Sequence, residues 1–296
     1  MSLSASIPVP HAATAATATR RGRRSPRTGR SHAWLWSVIG VVVLVVLLFP
    51  LYWMINVSLQ PGASAVATPW LPLHPSFEGY ARAFTQQGHN LVTSIIVALG
   101  SMVLSVAVAA PAAYALAQFK FRWAGVVLFG ILISQMIPGI IVANALYGAY
   151  NTLGLLNTVL GLILANAGAG IPFGILVMRA FIGGLPPSLV EAARIDGAGH
   201  IRAFVSIVLP ISRNALITAA LFSFLFAWGD FLFALTLTTT TSVRPITLGL
   251  YQYIGTYVSD WSTVMATAVL ASLPALVLLM LAQRYIAAGV TGGSVK

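Results

Sequence analysis

The chain has 296 residues, of which 58% are hydrophobic and 7% charged, with no cysteine and a formal net charge of +11; its mean hydropathy is +0.90. A soluble domain carries about 25% charged residues, so a water-soluble fold is excluded. The lack of cysteine excludes disulfides, thiolate metal sites and cysteine nucleophiles.

Residues 1–31 are mostly Ala, Thr, Ser, Pro, Gly and Arg and end in RRGRRSPRTGR, which predicts a disordered basic tail. Such a tail suits anionic membrane lipid, at up to about 1 kcal/mol per basic residue. Nucleic acid is not indicated, because neither aromatic interleaving nor a folded binding module accompanies the charge. The apolar run that follows is too long for a cleavable signal peptide.

Residues 32–296 then read as one membrane domain. A helix needs about 20 apolar residues to cross about 30 Å of hydrocarbon, and six segments qualify: Trp34–Asn56, Leu91–Ala117, Trp123–Tyr147, Thr158–Ile182, Ile211–Leu237 and Trp261–Ile286. Trp or Tyr marks several of their ends, as expected at the headgroup level. The fold class is therefore all-α, a polytopic protein with six transmembrane helices. With the tail, the second and fourth connections and the C-terminus on one side, that side holds all the Lys and Arg except Arg82 and Arg244. The positive-inside rule then predicts cytoplasmic N and C termini.

Between the first two spans, PSFEGYARAF is a polar and aromatic segment suited to the outer surface. In the third span Pro138 predicts a kink, as does Pro274 in the sixth. The fourth contains ANAGAGIPFG, residues 165–174. Glycine and proline at membrane depth mark either a broken helix beside a binding site or close helix packing; packing is the preferred reading, with Asn166 kept as a solute-facing candidate.

The connection 183–210 stands apart, because it is charged and glycine-interrupted. Ser188 followed by Glu191 matches a capping box, which predicts a short helix starting there. Gly197 predicts its end near Asp196. Ile201, Phe204, Val205 and Val208 then follow the spacing of a helix with one apolar face, ended by Pro210. Pattern alone leaves open whether that face meets lipid or a groove on a partner protein.

In the fifth span Asp230 lies about 28 Å beyond Ile211 at 1.5 Å per residue, near the interface. Intramembrane acids are functional candidates; a structural or solvated role is preferred over solute contact, and Trp228 beside it is the third solute-path candidate. Thr238–Asp260 suits either a cap over the outer mouth or a connector with a short interfacial helix.

Glu191-Ala192-Ala193, three residues, Gly197, nine residues, Ile207, one residue and Leu209-Pro210 together resemble the EAA signature of permease subunits of binding-protein-dependent ABC importers. LYGAYNTLGLLNTVLGLIL, AWGDFLFALTLT and the ending QRYIAAGVTGGSVK are similar to the maltose-type carbohydrate branch, although that branch has Trp-Asn-Asp or Trp-Asn-Glu where this chain has Trp228-Gly229-Asp230. The resemblance implies an ABC importer permease fold in a multi-pass, prokaryotic-type cell membrane protein. It also implies a second related permease, two ATP-binding cassette subunits that bind ATP and Mg, and an extracytoplasmic solute-binding protein. This chain then carries no cofactor and no catalytic site. It implies further that the coupling loop comprises Glu191, Ala192, Ala193, Asp196, Gly197, Ile207, Leu209 and Pro210.

The residues agree with that division of labour. No G-x-x-x-x-G-K-S/T loop exists to cradle phosphates, and no H-E-x-x-H motif points to a zinc hydrolase. The alternative function, an ion-coupled secondary transporter acting without an ATPase, requires inverted repeats and usually buried charged groups. Neither is evident.

Overall fold

A computed structural model describes residues 33–64, 68–119, 122–253 and 260–291, with side chains to residue 283. The predicted tail, Lys120 and the last five residues lie outside them. Among the described residues all regular structure is helical. The described residues form two compact units, the apolar front of α1 (Ala33–Ser58) as far as Phe49 and the unit beginning at Pro50.

α2 (Glu78–Gln118) has 41 residues and runs through Pro111, a length of about 60 Å. It starts 13 residues before the predicted span, so PSFEGYARAF runs into its polar opening turns. There Arg82 reaches Asp260 at 2.9 Å and also Thr263.

The third predicted span is not one rod. α3 (Ala124–Ser134) and α4 (Gly139–Leu153) meet at 94°, a corner where a kink was expected. Pro138 lacks a backbone donor and adopts extended ψ, so residues 135–138 leave the helix altogether. α4 ends on Gly154, in the left-handed conformation at φ 67°.

α5 (Val159–Ile182) matches its predicted span within one residue. The Thr158 hydroxyl accepts from the Gly161 amide at 2.9 Å and caps the start. The helix is continuous through Pro172, and Gly170 and Gly174 serve packing, the preferred reading, while a Cβ on Gly168 would meet nothing within 4 Å. A Cβ on Gly174 would stand 2.9 Å from that of Ala109, and one on Gly170 3.0 Å from the Ser105 hydroxyl. α2 and α5 thus lie backbone to backbone. Ser101 and Ser105 donate across the contact to the carbonyls of Ile163 and Ala167, each at 3.3 Å.

The segment after α5 holds α6 (Pro187–Ile195), α7 (His200–Ala203), a π-helical turn (Phe204–Val208) and α8 (Leu209–Ile211). Pro210 therefore sits inside a helix, and the break falls at Ser212. From there α9 (Arg213–Trp228) leaves at 81°. The fifth span is broken again at residues 229–231 before α10 (Leu232–Leu237). α11 (Ile246–Gln252) follows, the short helix of the connector reading, and then α12 (Trp261–Thr291), which runs through Pro274. The Trp228 indole donates to the Ala271 carbonyl at 3.0 Å and joins α9 to α12. Among the described residues four helices are individually long and apolar enough to span a membrane, and up to six spans result when each bent pair counts as one.

Candidate functional site

The hairpin made by α6, α7 and α8 is built on proline and glycine. Pro186 takes extended ψ of 128° because Pro187 follows it, and Pro187 fills the first helical position, where no amide is needed. The capping box expected from Ser188 and Glu191 does not form: the start of α6 carries no side-chain cap. Glu191 is instead exposed, with no ion pair or hydrogen bond among the described residues.

Gly197 ends α6 as expected, at φ 83°. Its amide donates to the Arg194 carbonyl at 3.1 Å and that of Ala198 to Ala193 at 2.9 Å, the two bonds of a Schellman turn. A Cβ at position 197 would meet nothing within 4 Å, so the demand for glycine comes from the dihedral angle alone.

Beyond Gly199 the π-helical turn adds a residue and rotates the face that was predicted. Ala203 and Val208 are buried, with Phe204 and Ile207 packed beside them. Ile201 and Val205 of the predicted face turn outward. Val190 and Ala193 of α6 join the same core, together with Met178 and Ile182 of α5, Ala110, Ala113 and Tyr114 of α2, and Ala219 of α9. Phe204 meets the Tyr114 ring at 5.0 Å, tilted by 35°, and His200 meets Phe119 edge-on at 5.1 Å. One face of the hairpin is thereby seated on the ends of three long helices, with Leu209 at its margin.

The opposite face is open. Glu191, Ala192, Arg194, Asp196 and Arg202 are exposed, as are Ile195 and Ile201, at 86% and 81%. Pro210 is exposed as well. Sequence reasoning missed Ile195 and the outward turn of Ile201. A signal existed only in Ile195, a large apolar residue just before a helix-ending Asp-Gly.

Along the helices a cavity of about 890 Å3 opens between α3, α4, α5, α9 and α10. Of the three solute-path candidates, Asp230 lines it. Its two carboxylate oxygens accept from the amides of Phe233 and Ala234, each at 3.1 Å, and cap α10; its carbonyl accepts from the Thr247 hydroxyl at 2.6 Å. Asn166 is buried, donates to the Leu162 carbonyl at 3.0 Å and stands beside the Asp230 carboxylate. Trp228 is buried against Phe224 and α12.

Residues 106–292 match the family described as "Binding-protein-dependent transport system inner membrane component". The chain is 36% identical to a probable ABC transporter permease protein, y4oR, of Sinorhizobium fredii, over 88% of this chain and 95% of that one. It is 30% identical to the trehalose transport system permease protein SugB of Mycobacterium tuberculosis, over 90% and 99% of the two chains. Among solved structures, a chain of a bacterial ABC transporter involved in the import of the acidic polysaccharide alginate shares the fold. The TM-score is 0.75 at 23% identity, and 88% of this chain and 99% of that one are covered.

Proposed function

The chain belongs to the binding-protein-dependent transport inner membrane component family of ABC importer permeases, a multi-pass protein of the plasma membrane, and we infer that its hairpin α6–α8 is where a partner ATPase drives it. One observation carries this reading. The hairpin packs on α2, α5 and α9 while its apolar Ile195 and Ile201 and its charged Glu191 stay uncovered. Large exposed apolar side chains rimmed by charge mark a protein contact.

Force applied at that face is delivered to α5 and α9, and these helices wall the cavity. Closure of the ATPases beneath thereby changes the cavity above. Glu191, exposed and unpaired among the described residues, meets a basic group of the ATPase. Asp196, Ile207, Leu209 and Pro210 hold the hairpin's shape, and Ala192 permits close approach. A second permease completes the pathway, two ATP-binding subunits hold ATP and Mg, and this subunit catalyses no reaction itself. The solute is a sugar or sugar-like molecule handed over by a binding protein, since trehalose is the solute of a relative aligned over nearly its full length. Both termini face the cytoplasm.

The test is Glu191→Ala combined with Gly197→Pro in the complete importer. Proline cannot adopt φ 83°, so the Schellman turn is lost. ATP-dependent uptake falls to background while the chain still inserts and assembles in the membrane. Uptake at the unmodified level by that variant refutes the assignment.

A further inference from the structure

The break at residues 229–231 interrupts an apolar run that extends from α9 through α10. Backbone groups freed inside such a run must find other partners. In a continuous helix the Ala234 amide would donate to the Asp230 carbonyl, four residues back. Here that amide donates to the Asp230 carboxylate instead, as does the Phe233 amide, each at 3.1 Å. The Asp230 carbonyl is thereby released from the helix, and it accepts from the Thr247 hydroxyl at 2.6 Å. One acceptor therefore has two alternative donors, Thr247 in the bent form and Ala234 in a continuous one.

Thr247 belongs to α11, outside the fifth span, and α11 is itself tied down. The Ile246 amide donates to the Ser94 hydroxyl of α2 at 2.8 Å. Gly249 lies so close to α2 that a Cβ there would stand 2.3 Å from the Gln87 side-chain oxygen, and the Gln87 amide donates to the Tyr253 hydroxyl at 3.3 Å. Tyr251 adds a second contact with the break, its ring 5.1 Å from that of Phe231. α11 thus clips the break to the long helix α2.

We propose that Thr247 is a positioning residue of the transport cycle: by occupying the Asp230 carbonyl it holds the fifth span bent at 229–231, and its release lets that carbonyl take the Ala234 amide and rejoins α9 to α10. Leu232 and Phe233 of α10 line the cavity, as do Phe222 and Phe226 of α9, so the exchange changes the shape of the wall. No residue of α11 lines that cavity, and Thr247 acts on it only through the backbone of Asp230. The proposal rests on the transport reading, in which the wall has to move.

Because the chain has no cysteine, Phe222→Cys and Leu235→Cys, both at exposed positions, place a pair of spin labels across the break in a complete importer with cysteine-free partner subunits. In a continuous helix the two Cα atoms would stand about 20 Å apart, and a bend brings them closer. The native importer shows the shorter distance, in a proportion that differs between its nucleotide-free and ATP-trapped forms. Thr247→Val keeps the branched shape without the hydroxyl; it raises the population near 20 Å at least about threefold in the nucleotide-free form, because the carbonyl is left unpaired in the bent one. It also lowers maximal uptake at least about threefold. Thr247→Ser, which keeps the hydroxyl, retains the native distances and uptake. Ser94→Ala, which loosens α11 from α2, shifts the population in the same direction and replaces Thr247→Val if that variant does not assemble.

A lower unfolding temperature for Thr247→Val with unchanged distances marks a purely structural role and overturns the proposal. So do normal uptake by Thr247→Val, an equal shift with Thr247→Ser, or distances that ignore nucleotide. If the Glu191 and Gly197 variant has lost uptake while the distances ignore Thr247, the transport reading stands and the positioning role alone falls. If that variant transports normally, the transport reading falls whatever the labels show.

Discussion

Gly197 is held to its identity by a dihedral angle, because space around it is open and its φ is 83°. Gly197→Ala forces a Cβ into the left-handed region at about 1–2 kcal/mol and lowers uptake, whereas Gly197→Asn, a residue that visits this region more readily, retains more of it. Uptake by the two variants at equal membrane abundance checks the order. Asp260 supplies a second prediction at this scale. Partial burial raises its pKa, but the Thr263 hydroxyl and amide and the Arg82 guanidinium outweigh that and hold it below the usual carboxylate value. Stability from this clamp is therefore present above about pH 3.9, the unfolded value, and is lost as pH falls through the depressed one. The difference in thermal unfolding between the native chain and Asp260→Asn is full at neutral pH and vanishes in strong acid.

The α2–α5 contact is the best-defined packing of elements. Gly174→Leu drives a side chain into Ala109, which stands only 2.9 Å from a Cβ, and costs about 1–3 kcal/mol. Ser101→Ala with Ser105→Ala removes two interhelical bonds of about 0.6 kcal/mol each. Thermal unfolding in detergent shows both variants less stable than the native chain. This is also the scale at which the sequence could and could not be read. Hydropathy placed α5 within a residue, and its small residues announced close packing. The corner between α3 and α4 was illegible because Met136 and Ile137 keep the run apolar, and hydropathy records composition rather than direction. The shifted face of the hairpin has a similar cause. Helical periodicity assumes 3.6 residues per turn, and the π-helical turn at Phe204–Val208 moves Val205 outward. The Gly197 turn was legible because few residue types, glycine foremost, suit its backbone. The cavity was not, since Phe173, Phe222 and Ser223 lie on two helices that no local pattern connects.

For the molecule in its membrane, the prediction concerns sidedness. With cytoplasmic termini, a thiol introduced by Ser206→Cys reacts with an impermeant maleimide only after the membrane is opened, and one introduced by Thr240→Cys reacts in intact cells. The reverse pattern inverts the assigned orientation. The paired serines of α2 carry a mechanical consequence for any such gate. Their acceptors are four residues apart on α5, as the serines are on α2, so a slide shorter than one helical turn, about 5.4 Å, breaks both rungs without making new ones. Long helices crosslinked in this manner travel together as a single strut. Compliance is left to the corners at residues 135–138, 212 and 229–231, where the backbone has already departed from the helix.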